Sequence, residues 1–203
     1  FTELGTMTDP DFFRDTRIAI VGLGLIGGSL ALGLNGRCQE LLAVDPNPET
    51  RALALQEAIV NQISADPAQI LHQADLIILA APVDIILDII PQLPQLHPGN
   101  CVILDLGSTK EDICIQLSAL PPRFETIGGH PMSGKAVDGL ANADAKLFDN
   151  APFAFTPLPR TSERAIEIAD QLATVLGANP LWIGPKTHDS WVAATSHLPY
   201  ILA

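Results

Sequence analysis

A glycine-rich turn near the amino terminus constrains the fold more than any other feature of the sequence. It lies in the stretch Arg17-Ile-Ala-Ile-Val-Gly-Leu-Gly-Leu-Ile-Gly-Gly-Ser-Leu30, where a short apolar strand runs into G-x-G-x-x-G spacing and then a helix. The first glycine permits a tight turn, the second lets the backbone approach a pyrophosphate, and the third lets the helix pack closely on the strand. The pyrophosphate would lie at the free amides of the helix N-terminus. The turn therefore predicts a dinucleotide site with these contacts: Gly22, Gly24, Leu25, Ile26 and Gly27.

An acidic residue follows at the distance that such a site requires. Asp45 ends the apolar run Leu41-Leu-Ala-Val44 and stands 18 positions beyond Gly27. A carboxylate there accepts hydrogen bonds from the adenosine ribose and repels the additional 2′-phosphate of NADP. The sequence therefore predicts NAD as the cofactor, with NADP as the weaker alternative.

Strand-like apolar runs alternate with helix-like segments along most of the chain. This alternation is typical of an α/β protein with a doubly wound, Rossmann-type, mostly parallel sheet. We expect a polar N-terminal extension with little to pack over 1–16, a dinucleotide-binding domain over 17–184, and a new helical pattern over 185–203. Within the domain, Asp66-Pro67 predicts the start of a helix. A strand over 124–127 is expected to end in a Gly-Gly-His-Pro loop.

Charge and cysteine content limit the classes of partner. The 203 residues carry a formal net charge of −12, so phosphate backbones and anionic membranes would repel the chain. Cys38, Cys101 and Cys114 lack C-x-x-C spacing, and we interpret them as reduced thiols of a cytoplasmic protein. Histidines and cysteines also lack ligand spacing, so no metal is predicted.

No targeting or membrane segment is expected. The first sixteen residues contain Asp, Glu and Arg and no apolar run, which is unlike a signal peptide. The most apolar region, 76–90, is interrupted by a proline and two aspartates. We interpret it as a buried strand followed by a helix, because a membrane span needs a longer uncharged run.

Ligands of such sheets bind outside the carboxyl ends of the strands, so the residues there are the site candidates. Ala80, Ala81 and Pro82 are small enough to let a cofactor pass over the sheet, although a plain strand-to-helix turn would look the same.

Ser108 has two compatible interpretations. It begins Ser108-Thr-Lys-Glu111, a capping box that would cap the next helix. Its place at the end of a strand also lets its hydroxyl face a substrate. Lys110, in the same motif, is either a solvated helix lysine or a support for the same site, and we assign it no catalytic role.

His130 is the sharpest catalytic candidate. It follows Gly128 and Gly129, which give the backbone room to approach a nicotinamide ring. An imidazole can take a proton from a hydroxyl near neutral pH while hydride leaves the same carbon. His188 and His197 stand nine positions apart, on opposite sides of a straight helix, so at most one is expected to face the same site.

Four motifs occur in an order that matches one family. They are Val21-Gly-Leu-Gly-Leu-Ile-Gly-Gly-Ser-Leu30, Asp105-Leu-Gly-Ser-Thr-Lys110, Gly128-Gly-His-Pro-Met-Ser-Gly134 and Thr195-Ser-His-Leu-Pro199. Together they resemble the prephenate/arogenate dehydrogenase family of tyrosine biosynthesis, over nearly the whole chain from about Arg17. The first motif is shared with many dehydrogenases, whereas the second and third are much more specific.

This resemblance implies an NAD-dependent oxidative decarboxylation, either of prephenate to 4-hydroxyphenylpyruvate or of arogenate to tyrosine. By similarity, His130 bonds the C4 hydroxyl of the substrate ring and assists removal of its proton. Ser108 holds that hydroxyl or orients the histidine. His197 would lie in the substrate pocket, and Ser133 and Lys135 are further candidates for substrate contacts, although Lys135 is equally well explained as a solvated loop residue.

The resemblance also implies helices beyond the 203 residues. Family members continue past Ser-His-Leu-Pro through helices that join two subunits and carry an arginine for the ring carboxylate. We therefore interpret 185–203 as the start of an all-helical substrate and dimerisation domain, and expect the chain alone to bind NAD but to turn over substrate poorly or not at all. Two alternatives stay open: another NAD(P)-dependent hydroxyacid or imine dehydrogenase, and a non-catalytic NAD-binding module.

Overall fold

The computed structural model describes residue 9 and residues 11–194. These residues form eight strands: β1 (Arg17–Val21), β2 (Glu40–Val44), β3 (Gln62–Ser64), β4 (Leu76–Leu79), β5 (Cys101–Asp105), β6 (Phe124–Pro131), β7 (Pro152–Pro157) and β8 (Asn179–Trp182). The α-helices are α1 (Leu25–Leu34), α2 (Pro48–Gln56), α3 (Val83–Ile89), α4 (Leu93–Leu96), α5 (Glu111–Ala119), α6 (Glu163–Val175) and α7 (Pro185–Val192). Short 3-10 turns span Pro67–Gln69, Leu71–Gln73, Ile90–Gln92 and Leu140–Asn142.

All eight strands form one sheet in the order β3-β2-β1-β4-β5-β6-β7-β8. The first six strands are parallel and have the order typical of a dinucleotide-binding fold. β7 pairs antiparallel with β6, and β8 runs parallel to β7. The doubly wound, mostly parallel sheet predicted from the sequence is thus confirmed. Its strand order reverses between β1 and β4, which is where such sheets form a crevice for a ligand.

The sheet separates two apolar layers because its central strands are covered on both faces. Along β1, Ile18 and Ile20 pack into the layer that contains α1 and α6, while Ala19 and Val21 pack into the layer that contains α3 and α5. Adjacent residues of a strand point to opposite faces, so both faces need apolar side chains. All four residues of β4 are buried for the same reason.

The segment around Asp66 differs from the predicted helix. The Asp66 carboxylate does accept a hydrogen bond from the Ala68 amide at 3.0 Å, as an N-cap does, but only a 3-10 turn follows it. A second 3-10 turn, Leu71–Gln73, completes the connection to β4. The preceding edge strand β3 was not predicted, because its three residues are partly exposed and two of them are polar.

β6 is longer than the sequence predicts. It continues through the Gly-Gly-His-Pro segment because β7 pairs with it there, with Ala154 opposite His130 and Phe153 opposite Pro131. The expected loop is therefore the end of a strand. As a consequence, the backbone of His130 is paired with β7, two residues beyond the last residue of β6 that pairs with β5.

Part of the N-terminal extension packs more closely than expected. Phe13 is only 1% exposed and meets Phe12 edge to face, with 5.0 Å between the ring centroids. The prediction that this segment has little to pack was wrong for these two residues, since isolated aromatic residues give no periodic signal in a sequence.

The cysteines are free thiols, and burial raises the pKa of Cys38 to about 11 and those of Cys101 and Cys114 to about 12. They are protonated at neutral pH and pack as small apolar side chains. In the part of the chain that the structure describes, no group of side chains is arranged to hold a metal ion, and no helix has both the length and the apolar character needed to cross a membrane.

Candidate dinucleotide and substrate site

The glycine turn joins β1 to α1 through a very close approach of backbone atoms. Gly22 has a φ of +91°, a left-handed conformation that favours glycine. A Cβ on Gly27 would lie 1.9 Å from the carbonyl oxygen of Gly22, whereas a Cβ on Gly24 would meet no atom within 4 Å. The fold itself therefore requires glycine at Gly22 and Gly27. Gly24 leaves the N-terminus of α1 open to the groove beside it.

Asp45, predicted as the acceptor for the ribose, is also hydrogen bonded to the glycine turn. One of its carboxylate oxygens accepts from the Leu23 amide at 2.8 Å, and the other accepts from the Asn47 amide at 2.9 Å. The side chain is nearly buried, at 8% exposure. Because each carboxylate oxygen has more than one lone pair, Asp45 can accept further hydrogen bonds from ribose hydroxyls.

A groove of about 800 Å³ follows the carboxyl ends of β1, β2 and β4. Its lining includes most of the predicted cofactor contacts: Gly22, Gly24, Leu25, Ile26, Asp45, Ala80, Ala81 and Pro82. Gly27 is placed behind the turn, against Gly22. The groove thus brings a helix N-terminus and an acidic side chain together, as an extended dinucleotide requires.

A smaller cavity of about 220 Å³ holds the two predicted catalytic side chains, His130 and Ser108. It shares part of its lining with the groove: Ile26, Ala80, Ala81, Pro82 and Ser133. The cavity and the groove therefore meet at the carboxyl end of β4. A ligand in the cavity would lie next to the end of a ligand in the groove.

A chain of hydrogen bonds leads from His130 to helix α7. His130 Nδ1 lies 2.9 Å from His188 Nε2, and His188 Nδ1 lies 2.8 Å from Asp189 Oδ1. His188 is only 2% exposed. Of the two later histidines, His188 is thus placed against His130. The sequence signal for this contact was a His-Asp pair early in a helix. The pair alone does not predict a contact with His130, because the two segments are far apart in the sequence.

Asp189 also caps α5, which corrects the capping box predicted at Ser108. The Lys110 and Glu111 amides donate to the Asp189 carboxylate at 2.7 and 2.9 Å, while α5 begins only at Glu111. Burial alone would raise the pKa of Asp189, but hydrogen bonds from the Glu111 amide, His188 and the Lys110 amide outweigh burial and lower it. Ser108, which precedes the helix by three residues, is left exposed in the small cavity.

A buried ion pair joins the ends of β5 and β6. The ammonium group of Lys110 donates to the Asp105 carboxylate and, at 2.7 Å, to the carbonyl of Gly129, next to His130. Both charged side chains are fully buried. Burial raises the pKa of Asp105, and the charge and hydrogen bond of Lys110 oppose that shift. Lys110 is thus a support for the site, and the solvated alternative for it was wrong.

The remaining predicted contacts lie in different surroundings. Lys135 lines the large groove, where its ammonium group pairs with Asp144 at 3.2 Å and donates to the Asn142 carbonyl at 3.3 Å. The Ser133 hydroxyl oxygen is buried at the junction of cavity and groove, with no hydrogen-bond partner among the residues that the structure describes. His197 falls outside the described residues.

The fold and the site define a nucleotide-binding domain of the Rossmann type, with a histidine and a serine beside its ligand groove. A family model described as the nucleotide-binding domain of prephenate dehydrogenase matches residues 29–180. The chain belongs to the prephenate dehydrogenase family, and the resemblance seen in its motifs is confirmed.

Three relatives show how far the similarity extends. The prephenate dehydrogenase of Bacillus subtilis is 33% identical over 196 residues, which are 94% of this chain and 52% of that protein. The crystal structure of Synechocystis arogenate dehydrogenase is 32% identical, with a TM-score of 0.81, over 91% of this chain and 66% of that one. Prephenate dehydrogenase from Aquifex aeolicus, in complex with hydroxyphenyl propionate and NAD+, is 25% identical with a TM-score of 0.86, over 94% and 68%. The chain spans about half the length of the Bacillus protein.

Substitution of two glycines in the turn separates folding from ligand access. Gly27→Ala places a methyl group against the Gly22 carbonyl, so we expect a loss of about 1–3 kcal/mol in the free energy of unfolding. Gly24→Ala should leave this free energy nearly unchanged and weaken NAD binding, because its methyl group points into open space in the groove. Urea denaturation and calorimetric titration with NAD measure the two effects. Equal stability losses in both variants would contradict the assignment.

Removal of the buried ammonium group should destabilise the domain. Lys110→Met leaves Asp105 buried without its cation, at a cost of about 3–5 kcal/mol near pH 7. Burial raises the pKa of this aspartate above its unfolded value, so its charge costs stability above that range and the cost disappears as acid protonates it. The loss, measured by urea denaturation, should therefore shrink as the pH is lowered from neutrality. The double variant Asp105→Asn/Lys110→Met is the matched control and should recover most of the stability; a loss independent of pH would count against this explanation.

Proposed function

We propose that the complete protein oxidises prephenate or arogenate with NAD as hydride acceptor and releases carbon dioxide. The observation that carries this proposal is the position of His130 and Ser108 in a small cavity that joins the dinucleotide groove. A proton acceptor and a hydroxyl donor then meet the substrate at the point where the cofactor's reactive end would lie. The similarity to prephenate and arogenate dehydrogenases supports the substrate class.

The residues present fit NAD. The N-terminus of α1 suits a pyrophosphate, and the open space over Gly24 lets one approach. Asp45 suits a ribose with two free hydroxyls and disfavours a 2′-phosphate. The NAD+ in the Aquifex aeolicus relative supports the same choice. Bound NAD would supply the hydride acceptor of the reaction.

The reaction removes a proton and a hydride from the C4 hydroxyl group and C4, and it breaks the bond between C1 and its carboxylate. His130 accepts the proton of the C4 hydroxyl as hydride leaves C4, and Ser108 keeps that hydroxyl in place. The electron pair of the bond between C1 and the carboxylate moves into the ring as carbon dioxide departs, so the ring becomes aromatic. The phenol oxygen then regains a proton from His130. Hydride, carbon dioxide and phenol account for all the atoms of the substrate.

The Ser133 hydroxyl supports a polar ligand at the junction of groove and cavity. It is buried there without a partner among the described residues, and an unsatisfied hydroxyl is costly unless a ligand completes it. Ser133 is therefore retained as a substrate contact in the proposal, and His197 is retained because of the motif resemblance alone. Lys135 would have to leave Asp144 to meet a substrate carboxylate.

The proposal extends to the assembly and location of the complete protein. The resemblance of the motifs to those of prephenate and arogenate dehydrogenases supports a helical domain of the complete protein that joins two subunits. Three free, protonated cysteines support a reducing compartment such as the cytoplasm.

Replacement of His130 tests the assigned chemistry. In the complete protein, His130→Asn should lower kcat by about 10²–10⁴-fold, because a positioned proton acceptor contributes that much. The dissociation constant for NAD should stay within about twofold, since His130 lines the smaller cavity and not the cofactor groove. Steady-state assays with prephenate and arogenate, and calorimetry with NAD, measure both. His72→Asn, which alters an exposed histidine, is the control. Near-normal turnover in His130→Asn would overturn the assignment.

Replacement of Asp45 tests the cofactor preference. Asp45→Ser should weaken NAD binding by about 10- to 100-fold, because hydrogen bonds to a charged acceptor are worth about 1.5–3 kcal/mol. Binding of NADP should improve relative to NAD. Asp45→Asn retains an acceptor for the Leu23 amide and removes the charge, so it separates charge from support of the turn. An unchanged ratio of NAD to NADP affinity in both variants would show that another residue selects the cofactor.

A further inference from the structure

We propose that His188 and Asp189 are positioning residues, which keep the proton of His130 on Nδ1 and make Nε2 the nitrogen that accepts the substrate proton. The catalytic part of this inference rests on the proposed function. The tautomer of His130 is a property of the protein itself and can be measured without turnover.

The Asp189 carboxylate lies within hydrogen-bond distance of three nitrogen atoms. Oδ1 accepts from the Lys110 amide and faces His188 Nδ1, and Oδ2 accepts from the Glu111 amide. An ionised carboxylate has no proton to donate. The 2.8 Å contact with His188 Nδ1 therefore requires the proton to be on that nitrogen of His188.

In a neutral histidine one ring nitrogen carries a proton and donates, and the other accepts. With its proton on Nδ1, the His188 ring has an unprotonated Nε2, which can only accept. The partner of this Nε2 is His130 Nδ1, at 2.9 Å. His130 Nδ1 must therefore donate, and its proton is fixed there. Nε2 of His130 is then the basic nitrogen, which is the form needed to take a proton from a hydroxyl.

The position of His188 makes this arrangement rigid. The ring is 2% exposed, and its helix is fixed to α5 because Asp189 caps that helix. The backbone of His130 is held by the β6–β7 ladder and by the bond from Lys110 to the Gly129 carbonyl. Both rings are thus supported from separate elements. Buried carboxylates hold catalytic imidazoles in one tautomer by the same logic in hydrolase triads.

Acid should disrupt the bond between the two rings. A proton added to either ring forces the His188–His130 bond to reverse or break, so His130 can no longer act as a base. Asp189 of α7 faces His188 Nδ1, and the Asp105–Lys110 ion pair lies beside the Gly129 carbonyl, next to His130. We therefore expect kcat to fall toward low pH as the pair takes up a proton.

The tautomer is measured directly by long-range ¹H–¹⁵N spectra of the complete protein labelled in its histidines. We expect wild-type His130 to carry its proton on Nδ1 above the pH at which the pair titrates. In Asp189→Asn the new amide can donate to His188 Nδ1, which would reverse the chain and move the His130 proton to Nε2. In His188→Phe the fixed acceptor is lost and the Nε2–H form should grow. Wild-type His130 with its proton on Nε2, or no change in either variant, would overturn the inference.

Kinetics test the consequence for catalysis. His188→Phe should lower kcat by about 100-fold, with the affinity for NAD within about twofold of wild type. His188→Gln should regain most of the activity, because its carbonyl oxygen can accept from His130 Nδ1. It should also shift the acid limb of the pH profile, since glutamine does not titrate. If His188→Gln is as impaired as His188→Phe and its pH profile is unchanged, the positioning role is wrong.

Two controls separate positioning from simple loss of stability. Ser162→Ala removes the side chain that accepts from the Ala165 amide at the start of α6, so it imitates loss of a cap at another helix. It should lower the melting temperature without changing the His130 tautomer or kcat. His72→Phe makes the same substitution at an exposed histidine, and it should change neither the His130 tautomer nor kcat. If wild-type protein oxidises neither prephenate nor arogenate, the proposed function fails, while the tautomer spectra still decide the present inference.

Discussion

The site depends on one buried ion pair, between Asp105 and Lys110. Asp105 ends a strand that is otherwise apolar, and Lys110 lies fully buried beside it, five residues further on. Two charges are costly in such surroundings unless each is paired and hydrogen bonded. Asp105 Oδ1 accepts from Lys110 and from the Gly107 amide, and Lys110 also donates to the Gly129 carbonyl. Asp105 Oδ2 is buried without a hydrogen-bond partner in the part of the chain that the structure describes. The turn that carries Ser108 and the strand that carries His130 are consequently held at a fixed separation.

A second carboxylate links the sheet to the chain that follows it. Asp189 belongs to α7, yet its hydrogen bonds go to the start of α5 and to the histidine beside His130. Asp189 thus supplies polar contacts between α7 and the start of α5. Any movement of α7 would therefore alter the contact between His188 and the His130 imidazole in the small cavity. The helix is therefore as much a part of the site as the strands are.

The sequence predicts where the candidate cofactor residues lie in the fold better than it predicts which residues support His130. Gly22, Gly24, Gly27 and Asp45 lie within one strand–turn–helix–strand unit, so their spacing along the chain is enough to predict that they lie close together. His188 is 58 residues from His130, and no local pattern reports such a contact. At Ser108 the local pattern was misleading. The sequence contains a capping-box motif there, but the carboxylate of the distant Asp189 caps the helix instead.

The strand ends were predicted less well for a related reason. β6 extends through Gly-Gly-His-Pro only because β7 lies beside it in the opposite direction. Glycine and proline are poor strand formers when taken alone, and tertiary pairing overrides that preference. The same effect explains why β3 was not predicted, because this short and partly polar strand depends on its pairing with β2.

The role in cofactor selection that we propose for Asp45 has a consequence for how the cofactor preference of this domain could change. The carboxylate that would select the ribose also accepts from the Leu23 amide inside the glycine turn. A lineage that exchanged it for a residue compatible with NADP would loosen the turn in the same step. Such a change is accessible only through side chains that still accept from that amide, or after a stabilising change elsewhere. A substitution that changes the cofactor preference at Asp45 would therefore also change the stability of the glycine turn.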